Sequence, residues 1–294
     1  MRTHGSERIP AWLRRPLTER VGRGPARRAV TGLNTVCREA RCPNRGLCMG
    51  EDRTATFLLM GPGCSRDCRF CSVSHGPRPL NAEEPEKVAR AAAELGLDYV
   101  VLTSTTRDDL ADGGAGHIVA TVEAVRTALP GADVEVLAPD FAGNRRAVDL
   151  MASAPLAVFG HNVETVPRLY RNVRPGTEYK RSLEVLAWAG EAGALTKSAL
   201  LVGLGEEKEE VYAALRDLRS AGVSIVAIGQ YLRPSTRQLP VARYWEPGAF
   251  EEIEEVARAM GFSGVACAPY VRSSFRAGSI YRRALAARAE LAAS

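Results

Sequence analysis

The sequence predicts an α/β protein, a partial barrel of the (β/α)6 type with an extension at each end. Three observations carry this. From residue 54 onward, short β-branched apolar runs alternate with stretches of helical spacing, which means parallel strands joined by right-handed crossovers. Several of the helical stretches end in glycine, a stop signal. The polar clusters fall just after the strand candidates, where α/β folds gather function.

In chain order the strand candidates are "TATFLLM" (54–60), "DYVVLTS" (98–104), "DVEVLAP" (133–139), "PLAVFG" (155–160), "KSALLVGL" (197–204), "VSIVAIGQYL" (223–232) and the shorter "GVACAPY" (264–270). Between them "PEKVARAAAELG", "GHIVATVEAVRTAL", "YKRSLEVLAWAGEAG", "EEVYAALRDLRSAG" and "FEEIEEVARAMG" have helical periodicity. Residues 1–53 lack such a pattern and are rich in Arg, Pro and Gly. The expected division is an N-terminal extension at 1–53, a barrel at 54–262 and a C-terminal extension at 263–294. A doubly wound open sheet is the alternative. No G-x-G-x-x-G follows any strand, and "DGGAG" (112–116) reads as a turn before a helix.

The 294 residues can bury a sizeable core. No apolar run approaches the roughly 20 residues of a membrane span, and no apolar signal segment is visible near the start. A cytoplasmic protein with no membrane partner is expected. The net charge is +5, yet residues 1–30 alone hold eight arginines against two glutamates. The basicity is therefore a local arm and does not predict nucleic-acid binding. Such an arm can attract an acidic protein partner.

Seven cysteines in a chain of this kind do not predict disulfides. Six of them form two triplets, Cys37/Cys42/Cys48 and Cys64/Cys68/Cys71. Cys267, in "VACAPYV", reads as a buried, inert thiol. The second triplet is C-x3-C-x2-C, in the loop after the first strand. Three thiolates there can hold three corners of an iron–sulfur cluster and leave one iron open for a ligand. Phe70, Gly61 and Gly63 flank the loop and would cover such a cluster. Zinc on Cys64, Cys68, Cys71 and His75 is the competing reading. The first triplet, C-x4-C-x5-C, lacks a fourth cysteine and is ambiguous taken alone.

The motifs resemble the radical S-adenosylmethionine superfamily and, within it, the lipoyl synthase family. The resemblance runs in order through "TVCREARCPNRGLC", "ATFLLMGPGCSRDCRFCSV", "TRDDLADGGAGH", "GHNVETVPRLYRNVRPG", "TKSALLVGLGE", "GQYLRPS" and "APYVRSSF", from about residue 10 to residue 280. It implies a 4Fe–4S cluster on Cys64, Cys68 and Cys71 that chelates S-adenosylmethionine. It also implies an auxiliary 4Fe–4S cluster on Cys37, Cys42 and Cys48, with Ser274 as fourth ligand and the cluster as sulfur donor. The implied reaction inserts two sulfur atoms at carbons 6 and 8 of a protein-bound octanoyl-lysine. The implied partners are octanoylated lipoyl carrier domains (E2 subunits or the glycine cleavage H protein), an electron donor such as ferredoxin or flavodoxin, and cluster-repair proteins. Two departures stand out: Phe275 follows the serine pair where the family has Tyr, and Thr106 stands where an acid is common.

Ser274 and the neighbouring Arg272 are the catalytic candidates. Phe70, Asn162, Glu164, Lys197, Gly203 and Gly205 are the candidates for cofactor contact. Lys197, near the start of its strand, is either an inward carboxylate partner or a solvated end. His75 and His161 read as structural. The rival activities are another sulfur-inserting or methylthiolating enzyme of the same superfamily and, from a different class, a zinc-dependent nucleic-acid-binding module.

Overall fold

The computed structural model describes residues 9–14, 30, 32–39, 42, 44, 47, 48 and 52–293, the side chains of 37, 38 and 291–293 excepted. Seven strands form one parallel sheet: β1 (Thr54–Leu59), β2 (Tyr99–Ser104), β3 (Asp133–Leu137), β4 (Val158–Gly160), β5 (Thr196–Val202), β6 (Ile225–Gln230) and β7 (Gly264–Cys267). Each strand pairs with the next in sequence. A doubly wound sheet reverses its order part-way, so this sequential winding excludes it.

The crossovers are α1 (Glu84–Glu94), α2 (Ala115–Ala128), α3 (Arg145–Ala152), α4 (Pro167–Val173) with α5 (Tyr179–Glu191), α6 (Lys208–Ser220) and α7 (Pro247–Ala259). Six β/α units thus precede β7, which leads into a long C-terminal helix, α8 (Ala277–Ala293). The starts of α1, α4 and α7 carry proline in the first turn, where its missing N–H costs nothing. A capping box between Glu207 and Glu210 starts α6.

Alternation along each strand sends one set of side chains under the outer helices and the other set inward. Phe57, Leu102, Val136 and Phe159 pack beneath α1, α2 and α3, and Leu200, Val226 and Val265 pack beneath α6 and α7. Each such side chain contributes about 1.5–3 kcal/mol by leaving water. The inward set includes Tyr99, Val158 and Ile225, and α8 covers it through Ala277, Ile280 and Ala284. Between β7 and α8, residues 268–276 cross the hollow so closely that a Cβ on Gly229 would lie 2.0 Å from the Val271 carbonyl oxygen.

The N-terminal extension is fastened to this frame. Thr35 bridges Phe57 in antiparallel sense, and Leu58 N–H donates to the Asn34 carbonyl at 2.9 Å. The free edge of β1 is therefore covered, which protects it from pairing elsewhere. No described helix is long and apolar enough to cross a membrane.

Candidate active site

The loop after β1 turns sharply at Met60 and Gly61, both at positive φ, and a two-residue ladder of Gly63–Cys64 with Ser74–His75 closes it. Arg66 N–H approaches Cys64 Sγ at 3.4 Å, and Val73 N–H approaches Cys71 Sγ at 3.5 Å. Phe70 lies half-buried in the same loop. Cys64, Cys68 and Cys71 are free thiols. Burial raises the Cys68 thiol, against the charge and hydrogen bonding of Arg174, and raises Cys71 to about 12. Bare thiols there resist ionisation; iron would supply the positive charge that thiolates need.

Neighbouring elements hold this loop on several sides. Arg66 forks onto Asp108 at 2.9 and 2.8 Å and reaches Asp140 at 2.7 Å. Burial alone would raise the Asp140 carboxyl, but Arg66 outweighs it and holds the group at about 2. The Thr106 carbonyl accepts from Ser65 N–H at 3.0 Å. That bond uses the backbone only, so an acid is not needed at position 106 to make it. Arg69 N–H donates to the Val173 carbonyl, Leu239 N–H donates to the Arg69 carbonyl, and Gln238 Nε2 donates to the Cys71 carbonyl at 3.0 Å. Arg233, in the "RPS" motif, shapes the last of these segments by donating to the carbonyls of Thr236 and Gln238.

The end of β4 faces the loop. Glu164 adopts φ 65°, costly for a non-glycine residue, and stays paired to β5 through Ala199 and Leu201. Asn162 Nδ2 donates to Glu164 Oε1 at 2.9 Å. Burial raises the Glu164 carboxyl, opposed by Arg174, Asn162 and Arg272. Arg174 donates through one nitrogen to the carbonyls of Asn162 and Val163 and to the Tyr170 hydroxyl. From there Tyr170 donates to Ser182, Ser182 to His161 Nε2, and His161 Nδ1–H to the Ala138 carbonyl. Both nitrogens of His161 are thus committed, and burial lowers its pKa to about 4. Its role is structural. His75 is committed likewise, Nδ1 on the Arg66 carbonyl and Nε2 on Asp67, each at 3.1 Å.

The C-terminal loop joins this group. Ser273 donates to Asn162 Oδ1 at 3.2 Å, whereas the Ser274 hydroxyl has no hydrogen-bond partner among the described residues. Arg272 donates to the carbonyls of Pro269 and Val271, bracing its own loop. The N-terminal extension reaches the same place. Asn44, fully buried, donates to the Tyr270 carbonyl at 2.7 Å, the Tyr270 hydroxyl donates to the Leu13 carbonyl, and Ser72, next to Cys71, donates to the Glu39 carbonyl at 2.8 Å. Cys42 is half-buried with a free thiol and Cys48 is buried; the Cys37 side chain lies outside the described residues.

Three cofactor candidates have other partners here. Lys197 sits in the first half of β5, 1% exposed, with Nζ at 2.8 and 2.9 Å from the two Glu135 oxygens. It is the inward carboxylate partner of the two readings, at the opposite end of the strands from the cysteines. Gly203 has φ 104° and no room for a Cβ, which would meet Gln230 Nε2 at 2.1 Å. Gly205 gives its carbonyl to Arg168. The acid of that motif does the organising: Glu206 accepts from Gly203 N–H, Leu204 N–H and Trp245 Nε1. Sequence reading also missed Arg174, Arg66, Gln238 and Asn44. Asn44, Arg66 and Arg174 lie inside the quoted motifs but carry no mark of their own there; the partners of Asn44, Arg66 and Gln238 are far along the chain, and those of Arg174 within 12 residues.

Three free cysteines in one loop, Cys64, Cys68 and Cys71, are the donor set of an iron–sulfur cluster, and His75, the fourth ligand of the zinc reading, lies on the Arg66 carbonyl and Asp67. The sequence model of the Radical SAM superfamily matches residues 58–218. The lipoyl synthase of Acidothermus cellulolyticus is 50% identical over 291 residues, covering 97% of this chain and 88% of that one. The chain belongs to the lipoyl synthase family. Lipoyl synthase 2 of Nostoc sp. is 49% identical, covering 92% of this chain and 94% of that one. Among solved structures, methylornithine synthase (PylB) has a TM-score of 0.57 at 14% identity, covering 81% of this chain and 77% of that one. HydG from Carboxydothermus hydrogenoformans has a TM-score of 0.59 at 18% identity, covering 82% and 56%. At such identities these two share the fold. Membership of the lipoyl synthase family implies a 4Fe–4S cluster and S-adenosylmethionine. It sets aside the nucleic-acid-binding reading.

Proposed function

We propose that this member of the lipoyl synthase family inserts sulfur at carbons 6 and 8 of an octanoyl-lysine on a lipoyl carrier domain. Cys64, Cys68 and Cys71 would hold the cluster that binds S-adenosylmethionine. Cys37, Cys42, Cys48 and Ser274 would hold an auxiliary 4Fe–4S cluster. When bound, the first group supplies a carbon radical able to take hydrogen from an unactivated chain, and the second supplies sulfur. The protein's own part is placement. Asn162, Glu164 and Arg174 offer an amide, a carboxylate and a guanidinium to a zwitterionic amino-acid group. The Cys71 carbonyl is held by Gln238, and the Ser273 bond to Asn162 ties the C-terminal loop to the end of β4. Ferredoxin or flavodoxin would deliver electrons, and repair proteins would rebuild the auxiliary cluster.

One observation carries the reading: the loop holding Ser274 is pinned on one side to the N-terminal extension by Asn44 and on the other to the barrel by Ser273, and the Ser274 hydroxyl has no hydrogen-bond partner among the described residues. The test incubates reconstituted protein with octanoylated carrier, S-adenosylmethionine and dithionite. Wild type should form 5′-deoxyadenosine and the dithiolated chain. Ser274→Ala should keep the first product and lose at least about a hundredfold of the second, while Ser273→Ala loses less. Undiminished lipoyl formation by Ser274→Ala would refute the ligand assignment.

A further inference from the structure

Several charges on the outer helices are matched. Arg145 meets Glu191 at 2.8 Å, Arg168 meets Glu210 at 2.7 Å, Lys208 meets Glu252 at 2.7 Å and Lys87 meets Glu83 at 2.7 Å. The rim around the cysteine loop differs. Arg69, Arg171, Arg233 and Arg237 are all exposed. Arg69 rests on the Asn172 amide oxygen at 2.6 Å and Arg233 on two backbone carbonyls. Among the described residues the Arg171 and Arg237 side chains touch no acid. Asp67, in the same loop, is held by His75.

These arginines belong to one surface. Arg69 is bonded through its N–H to Val173 and through its carbonyl to Leu239. The cysteine loop, the end of α4 and the segment 233–239 are thereby fastened side by side. Four unneutralised guanidinium groups on fastened loops repel one another, and an arriving set of carboxylates removes that repulsion. A nucleic acid is less well served: no exposed ring interrupts the arginines, since Phe70 is half-buried and Tyr170 buried, so there is no platform for base stacking. An acyl chain carried on a lysine is short. The folded protein that bears it must rest against the rim through which the chain enters.

We infer that Arg69, Arg171, Arg233 and Arg237 form the docking surface for an acidic face of the octanoyl-bearing carrier protein. This rests on the function proposed above for the substrate's nature and on the unpaired arginines for the surface. A control exists within the fold. Arg282 and Arg283 are also exposed, but they lie on α8, where Arg282 acts on Asp133 at the start of β3, the opposite end of the strands.

The experiment compares wild type, Arg171→Glu/Arg237→Glu and Arg282→Glu/Arg283→Glu, two variants with the same change in net charge. Affinity for octanoylated glycine cleavage H protein is measured by fluorescence anisotropy at low and high salt. Turnover is measured on that protein and on a short octanoyl-lysine peptide, with dithionite so that no protein electron donor is present. The rim variant should bind the H protein about tenfold or more weakly at low salt, with a flattened salt dependence. Its kcat/KM on the peptide should stay within about twofold of wild type, and so should every value for the α8 variant. Rim-variant affinity within about twofold of wild type, or an equal loss in the α8 variant, would overturn the docking surface. So would a random-sequence DNA duplex that binds wild type as tightly as the H protein does and is lost in the same variant. If wild type thiolates neither the H protein nor the peptide, the proposed function fails, and the binding measurement still decides the surface.

Discussion

Two buried polar networks occupy opposite ends of the same strands, and they are built differently. At the amino-terminal end, Tyr99, Glu135 and Lys197 are each 1% exposed. Lys197 donates to both Glu135 oxygens, and the Tyr99 hydroxyl donates to Glu135 at 2.8 Å, so their buried polar atoms are all satisfied. At the carboxyl end, the Ser104, Thr105 and Thr165 hydroxyls, one terminal nitrogen of Arg107 and the Arg174 Nε are buried without a partner among the described residues. Each such atom costs about 1–3 kcal/mol. A network complete in itself has only stability to serve. Unmet donors and hydroxyls beside the cysteines are open to a ligand or to water.

The largest effect that would sharpen the contrast is at Lys197. Lys197→Met strands the Glu135 carboxylate among apolar neighbours and should destabilise the protein by about 3–5 kcal/mol. Removing the whole network with Tyr99→Phe/Glu135→Leu/Lys197→Met should recover most of that loss, because apolar replacements of similar volume avoid the cost of burying charge. Affinity for S-adenosylmethionine, read by calorimetry on the triple variant, should stay within about twofold of wild type, the range of a substitution remote from the site. A loss beyond tenfold with stability intact would instead put Lys197 on the cofactor and break the comparison.

His161 lies between the two ends and gives a pH test. Its folded pKa of about 4 lies below the ordinary value of 6.5 because burial, then Arg174, disfavours the imidazolium. Between those values the unfolded chain holds a proton that the native protein does not. Its contribution is full above about 6.5 and is lost as pH falls toward 4, at up to about 1.4 kcal/mol per unit and roughly 3 kcal/mol in all. The raised carboxyls of Glu164 and Glu206 act in the opposite sense, since they favour the native state as pH falls. The difference between wild type and His161→Asn therefore isolates the imidazole. The variant should be less stable at pH 7 and show a flatter loss between pH 7 and 5 in thermal unfolding. Equal slopes would mean that His161 does not stay neutral in the fold.

Local chemistry made much of the barrel legible and little of its wiring. All seven strands lie within the apolar runs or one residue from them, because buried parallel strands need β-branched apolar residues on both faces. The runs overshoot the strand ends where the chain stays apolar beyond them. Helices α3, α4 and α8 were not foreseen. The first two have only eight and seven residues, too few for a period to register. The third meets the hollow through small residues, Ala277, Gly278 and Ala284, and so shows no broad apolar stripe. The cysteines were legible by spacing. Gln238 and Asn44 were not, since they reach partners 167 and 226 residues away. The Glu135 partner of Lys197 was equally hidden, 62 residues back on a strand that is not its neighbour.

The smallest effect is the most discriminating, because the two ends predict opposite signs for it. Ser104→Ala removes a buried hydroxyl that has no partner among the described residues. In the ligand-free protein nothing is lost with it, and a desolvation cost disappears, so the variant should be as stable as wild type or more stable by about 1 kcal/mol. Deleting a satisfied polar group of similar size should do the reverse. Tyr99→Phe, which removes only an oxygen bonded to Glu135, should cost about 1 kcal/mol or more because the acceptor is charged. S-adenosylmethionine should then reverse the ranking. Its presence should stabilise wild type and Tyr99→Phe by similar amounts and Ser104→Ala by less, since that variant lacks a group the ligand would satisfy. Thermal unfolding with and without the ligand reads both signs in one experiment. If Ser104→Ala is destabilised without ligand, the hydroxyl had an internal partner, and the unmet groups at the carboxyl end are not held open for binding.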